Sequence, residues 1–140
     1  MDGTPVELDP AVTALAELAR EYGHHAGRHY FAGVVADHLG HAITIYRVPD
    51  ADFDGEVVTL LDGDVEVRLV DAPHTRDELV VARERVWALA EELPITSISL
   101  PPDGTRLTVV CDAPVDDVQV ELDRVAPGMA TATSGRVVPL

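Results

Sequence analysis

Apolar residues recur along this chain with two periods, one helical and one strand-like. Residues about 9–23 keep one apolar face at helical spacing, formed by Val12, Leu15, Leu18, Ala19 and Tyr22. Asp9 followed by Pro10 is typical of a helix N-terminus, and Gly23 is a common helix end. The pattern therefore predicts an N-terminal helix over this segment.

The strongest helix signal begins at Thr75. Thr75 and Glu78 have the spacing of a capping box, in which each side chain bonds the other residue's free backbone amide. Apolar residues then recur at helical spacing until Pro94: Leu79, Ala82, Val86, Leu89, Ala90 and Leu93. Trp87 borders this stripe, and we expect its ring to be buried between the helix and a sheet.

Strand-like segments occur in two pairs and one single run. Residues 30–37 and 41–48 flank the turn "HLG", while "ITSISL" and "RLTVVC" flank "PPDGT", so each pair predicts a hairpin. Residues 64–71 alternate strictly and predict a further strand. Residues 115–125 fit a helix but also alternate over "VQVEL"; a helix is favoured, followed by a last strand in "MATATSG".

This order of elements predicts an α+β fold. We expect one domain over residues 1–140, with an antiparallel sheet, helices on one face and a ferredoxin-like arrangement. Its parts are the N-terminal helix, a core over about 30–111 and an extension over 112–140. No sequence repeat or dividing linker is visible.

Charge restricts the range of partners. The 140 residues include 25 Asp and Glu against 10 arginines and no lysine, which gives a net charge of −15. Such a field repels phosphate backbones and anionic lipids, so neither nucleic acid nor a membrane is expected as a partner. A basic protein partner fits, and so does a role in solubility alone.

Two further features bear on the compartment. A single cysteine, Cys111, excludes an intramolecular disulfide. No N-terminal segment combines basic residues with an apolar run, so a cytoplasmic protein is the default expectation, and a secreted one if a leader has been removed.

The stretch "PDADFDGEVVTLLD" resembles the start of a calcium loop. Asp50, Asp52 and Asp54 alternate before a glycine, but the twelfth position, where such loops carry a bidentate Glu, is Leu61. No helix is predicted to lead into it either. We expect a solvated acidic turn in which Asp54 caps a short helix over residues 56–61.

Histidines cluster before and within the first hairpin. Five lie within eighteen residues, and four are candidate metal ligands: His25, His29, His38 and His41. Glycines interrupt the segment, and no cysteine or suitably spaced acid completes a ligand set. Histidines in solvated loops are the favoured interpretation, and no metal or cofactor is expected.

Catalytic motifs are not found. The serines lack a G-x-S-x-G context, no glycine-rich phosphate loop is present, and Cys111 ends an apolar strand where a buried thiol is usual. A non-enzymatic role is therefore favoured, although small enzymes of this fold class can use residues that no motif reveals.

Three stretches together resemble a known module: "YFAGVVADHLGHAITIYRV", "VEVRLVDAPHTRDELVVARERV" and "ITSISLPPDGTRLTVV". They are similar to the prodomain of α-lytic protease and streptogrisin-type serine proteases, and to stand-alone actinobacterial proteins with the same pattern. The shared features are an aromatic-Ala-Gly-Val stretch before Asp37, a hydroxyl cap at Thr75 and a polar turn at Asp103-Gly104. The resemblance covers about residues 30–111.

The resemblance implies a protein-binding role. Such prodomains are folding chaperones and product-like inhibitors of their own protease, which they bind through a sheet surface and a C-terminal tail. The hypothesis is a non-catalytic interaction module with a protein partner, basic or a protease, and with self-association possible. Its predicted contact residues are Arg136, Val137, Val138, Pro139 and Leu140. The alternative is a small accessory enzyme, or a ligand or metal binder, that uses the His-rich segment 24–41.

Overall fold

The computed structural model describes residues 8–135, and the order of its elements occurs twice. The first half contains α1 (Pro10–His24), β1 (Phe31–Asp37), β2 (Ala42–Arg47), α2 (Ala51–Leu60) and β3 (Glu66–Asp71). The second contains α3 (Arg76–Trp87) with a 3₁₀ turn (Ala88–Glu91), β4 (Ile95–Ser99), β5 (Leu107–Cys111), α4 (Val115–Val125) and β6 (Ala130–Ser134). Each half is thus helix, hairpin, helix, strand.

Each half forms its own three-stranded sheet, in the orders β1-β2-β3 and β4-β5-β6. The hairpin pairs are antiparallel, but β2 pairs with β3, and β5 with β6, in parallel. A helix connects each parallel pair, as such a pairing requires. Each hairpin also has an irregular register near the start of its first strand, between Phe31 and Gly33 and between Ile95 and Ser97.

The predicted α+β class, with helices packed on one face of the sheet, is confirmed. The sequence pattern predicts an antiparallel sheet, whereas the structure has two sheets, each with one antiparallel and one parallel pair of strands. The periodicity of β3 and β6 predicts strands but carries no information on their direction. Their direction follows from the way α2 and α4 cross over the sheets.

Two separate apolar clusters form the core, one in each half. The first includes Val12, Phe31, Ile43, Ile45, Phe53 and Val57. The second includes Leu79, Val86, Leu107, Val109, Val118 and Leu122. The fold therefore repeats although the sequence does not, because different residues supply the same apolar pattern.

The halves meet where the β4–β5 turn packs against β1. Gly33 lies so close to the backbone of Pro102 that a Cβ atom would come within 2.2 Å of the Pro102 carbonyl oxygen. Gly104 has a φ of +70°, and a Cβ there would lie 2.5 Å from the carbonyl oxygen of His74. Both glycines are needed for this close approach.

The helix ends follow the sequence signals closely. The Asp9 carboxylate accepts hydrogen bonds from the amides of Ala11 and Val12, at 3.0 and 3.4 Å. The capping box at α3 is confirmed: the Glu78 amide donates to Thr75 Oγ1 at 3.2 Å, and the Thr75 amide donates to Glu78 Oε1 at 3.1 Å. The favoured helix over residues 115–125 is also present.

Two packing expectations are wrong. Trp87 is 43% exposed, because Val86 and Leu89 occupy the buried face where α3 passes into the 3₁₀ turn. Leu18 is also exposed, since the smaller Ala16 takes the buried position on α1.

Candidate functional site

The acidic stretch predicted to be a solvated turn is instead mostly helical. The helix α2 starts at Ala51, capped by the Asp50 carboxylate, which accepts from the Phe53 amide at 3.0 Å. The prediction that Asp54 caps a helix over residues 56–61 is therefore wrong. A calcium loop would require these acids in an extended turn, and the helix separates them.

Asp54 has a different role, because it pairs with a buried arginine. Arg47 is 7% exposed, and its Nε and Nη2 atoms donate to the two carboxylate oxygens of Asp54 at 2.7 and 2.9 Å. Its Nη1 atom donates to Asp71 at 2.6 Å. Asp54, and secondarily Asp71, raise the pKa of Arg47. This network joins β2, α2 and β3.

His38 and His41 come together around the N-terminus of α1. The Asp9 amide donates to His38 Nδ1 at 3.1 Å, and His41 Nδ1 lies 2.5 Å from the Asp9 carboxylate. His41 is the largest cause that lowers the pKa of Asp9. These contacts anchor the β1–β2 turn to the helix cap, which is a structural role.

The other two candidate ligands, His25 and His29, lie exposed in the connection after α1. The structure therefore does not bring the four histidines together. Over residues 8–135, no group of three or more His, Cys, Asp and Glu side chains is arranged to hold a metal ion. Cys111 is buried, as predicted, and lies 3.5 Å from the Thr133 carbonyl oxygen.

The outer face of the first sheet is a candidate binding surface that the sequence reading missed. We call it the outer apolar face and define it by Val35, Tyr46 and Val70, which lie on adjacent strands. Val35 is 40% and Val70 41% exposed, while Tyr46 is partly exposed. Strict alternation in "DVEVRLVD" places Val70 on the face opposite Val67 and Leu69, which is the signal that could have found it.

A second candidate lies at the junction of the halves. A cleft of about 310 Å³ is bounded by the C-terminal half of α1, by β1, by the first turn of α3 and by the β4–β5 turn. Its lining includes three basic side chains: Arg20, His24 and Arg76. We call it the junction cleft. Of these three side chains, His24 alone belongs to the predicted segment 24–41. Arg20 precedes that segment, and Arg76 lies much further along the chain.

The predicted contact residues Arg136, Val137, Val138, Pro139 and Leu140 lie outside the described residues. The strand that precedes them, β6, is at the edge of its sheet and ends at Ser134.

Comparison with known proteins gives no family. No family model matches the chain, and no curated protein matches its sequence. None of the helices described between residues 8 and 135 is long and apolar enough to cross a membrane.

Proposed function

We propose that this protein is a non-catalytic interaction module that binds a basic segment of another protein on its outer apolar face. The observation that carries the proposal is the exposure of Val35 and Val70 on the sheet face opposite the first apolar cluster. The helices α1 and α2 pack on the opposite face, where Ile43 and Ile45 are buried. Apolar side chains on an open face favour a partner that removes them from water.

The geometry of the face suits an extended segment. The register aligns Tyr46 with Val70 in one row across the sheet and Val35, Thr44 and Arg68 in the next. The strand β3 is at the sheet edge, so its outer side can accept backbone hydrogen bonds from an added strand.

Charge determines the expected chemistry of the partner. The chain carries −15, and the side chains of Asp37 and Glu66, which alternate onto the same face as Val35 and Val70, are 42% and 59% exposed. Arg68 on the face is already paired with Glu66 and Asp37, at 2.9 and 3.5 Å. A basic partner would therefore be steered toward the module, with an on-rate that falls as salt is raised.

The resemblance of residues 30–111 to protease prodomains supports the same class of function. In the structure this segment runs from Tyr30 before β1 to Cys111 at the end of β5. It contains the outer apolar face and both hairpins. A sheet surface is also what such prodomains use, so a protease is one partner that the proposal includes.

The test compares two double variants of the full chain. Val35→Ser with Val70→Ser removes apolar area from the face, and Val58→Ser with Val120→Ser makes the same change at exposed positions on α2 and α4. A partner captured from the source cells is identified, purified and titrated calorimetrically against each protein. We expect the face variant to bind at least about tenfold more weakly, and the control to bind like the wild type.

Three outcomes would contradict the proposal. Equal binding by the face variant would show that the surface is wrong. A partner that is acidic, or whose on-rate does not depend on salt, would contradict the basic-segment chemistry. If no partner is retained, or if the purified chain turns over a metabolite from the same cells, the interaction function itself is wrong.

A further inference from the structure

The junction cleft concentrates positive charge on an acidic protein. Arg20 and His24 come from successive turns of α1, and Arg76 is the first residue of α3. Neither arginine lies within salt-bridge distance of a carboxylate from residues 8–135, whereas Arg28, Arg47, Arg68 and Arg124 all do. Two guanidinium groups without a carboxylate partner in the described part of the chain thus border the same cavity.

The rest of the cleft is apolar. Phe31 and Val34 of β1 lie on one side, and Leu100 and Pro102 of the second half lie on the other. Phe31 and Val34 are buried, and Gly33 between them leaves room for the Pro102 backbone. A cavity of about 310 Å³ with an apolar lining and a few convergent polar groups has the character of a small-ligand site.

We propose that the junction cleft binds a small organic anion, with its carboxylate or phosphate group between Arg20 and Arg76 and its apolar part against Phe31 and Leu100. Planar guanidinium groups suit both anions because their N–H groups can bond two oxygens at once. The site is separate from the outer apolar face, so this proposal does not depend on the interaction function.

The pKa of His24 is sensitive to the charges that border the cleft. Burial, followed by Arg76, Arg20 and His25, lowers its pKa, while Asp77 acts in the opposite direction. Asp77 is itself paired with Arg28 at 3.5 Å. An anion bound between the arginines would offset their charge and stabilise the imidazolium, so it should raise the pKa of His24.

The experiment follows the His24 ring signals of the full chain by NMR over a pH titration. The probes are inorganic phosphate, N-acetyl-leucine and the uncharged N-acetylleucinamide. We expect a saturable rise in the pKa of His24 with at least one of the two anions, no change with the amide and no change at the exposed His29. Binding of phosphate alone would identify a phosphate ligand, and binding of N-acetyl-leucine alone a carboxylate such as a free acid or a chain end.

Variants then locate the charge. Arg20→Gln and Arg76→Gln should each weaken binding about tenfold, as expected for loss of a charge-assisted hydrogen bond. Arg83→Gln removes the same charge from α3 at a position outside the cleft and should bind like the wild type. The proposal is overturned if no probe produces a saturable His24 shift, if the amide binds as well as the acid, or if Arg83→Gln weakens binding equally.

Discussion

Arg47 shows how one residue can join three elements. Among the described residues it is the only buried charged side chain, and its guanidinium group reaches acids on α2 and at the end of β3. The corresponding strand position in the second half is Cys111, which is also buried but makes no ion pair. The same buried strand position is therefore filled by an ion-paired arginine in the first half and by a small thiol in the second.

Removing either acid of this network should have unequal effects. Asp54→Ala leaves Nε and Nη2 of the buried Arg47 without partners and should lower the free energy of unfolding by about 2 kcal/mol. Asp71 is mostly exposed, so Asp71→Ala should cost less than about 1 kcal/mol. Urea denaturation of the two variants measures both values, and an equal loss would contradict the bidentate geometry.

The cap of α3 gives a second prediction at this scale. Thr75→Ala removes the acceptor for the Glu78 amide and should cost about 1 kcal/mol in a urea denaturation. Thr59→Ala serves as the control, since Thr59 is exposed and its hydroxyl donates to the Gly55 carbonyl within α2. A similar loss in both variants would show that the cap contributes nothing specific.

Asp9 makes stability depend on pH in the acidic range. Its pKa lies below the ordinary value of 3.8, chiefly because of His41, so its ionised form stabilises the fold above that pH. This contribution is lost as the pH falls through the folded pKa. The stability advantage of the wild type over His41→Gln should therefore disappear below about pH 4. Urea denaturation between about pH 6 and about pH 2.5 tests this, with His29→Gln as a control that should show no such trend.

At the scale of elements, the sequence predicts features that depend on neighbouring residues. It does not predict features that depend on packing between distant segments. The capping box, both hairpins and the helix over residues 115–125 depend on neighbouring residues, and all are confirmed. The parallel direction of β3 and β6 depends on a helix crossing the sheet, and the exposure of Trp87 depends on where α3 tightens. The sequence predicts only part of the junction cleft, namely His24 within the segment 24–41. Arg20 and Arg76 border the same cleft because the two halves pack together.

The contact between the β4–β5 turn and β1 predicts a difference between two glycines. Gly104 and Gly128 have similar positive φ values, of 70° and 75°, but only Gly104 would place a Cβ against other atoms. Gly104→Ala should therefore cost about 3 kcal/mol, and Gly128→Ala about 1 kcal/mol, the second from backbone strain alone. Thermal denaturation compares them, and equal losses would contradict the close packing of the turn on His74 and Ala32.

At the scale of the whole molecule, the charge excess opposes folding. With −15 spread over 140 residues, like charges repel one another in the compact state. Raising sodium chloride from about 10 to about 150 mM at pH 7.5 should therefore raise the melting temperature, because the screening length becomes shorter. Near the isoelectric point of about 4.5 the same addition should have little effect. A salt response that is equal at both pH values would contradict this explanation.

The repeated order of elements also has an evolutionary consequence. Tandem duplication of a gene for one unit would produce two sheets of the same order, with the same irregularity in the first hairpin of each. After such an event one copy can preserve stability while the other acquires a new surface. The outer faces of the two sheets differ at these positions, since the first carries Val35 and Val70 where the second carries the hydroxyl side chains of Ser99 and Thr133. An ancestral single unit would have had one outer sheet face. A duplicated chain can present two, one apolar and one that carries hydroxyl groups.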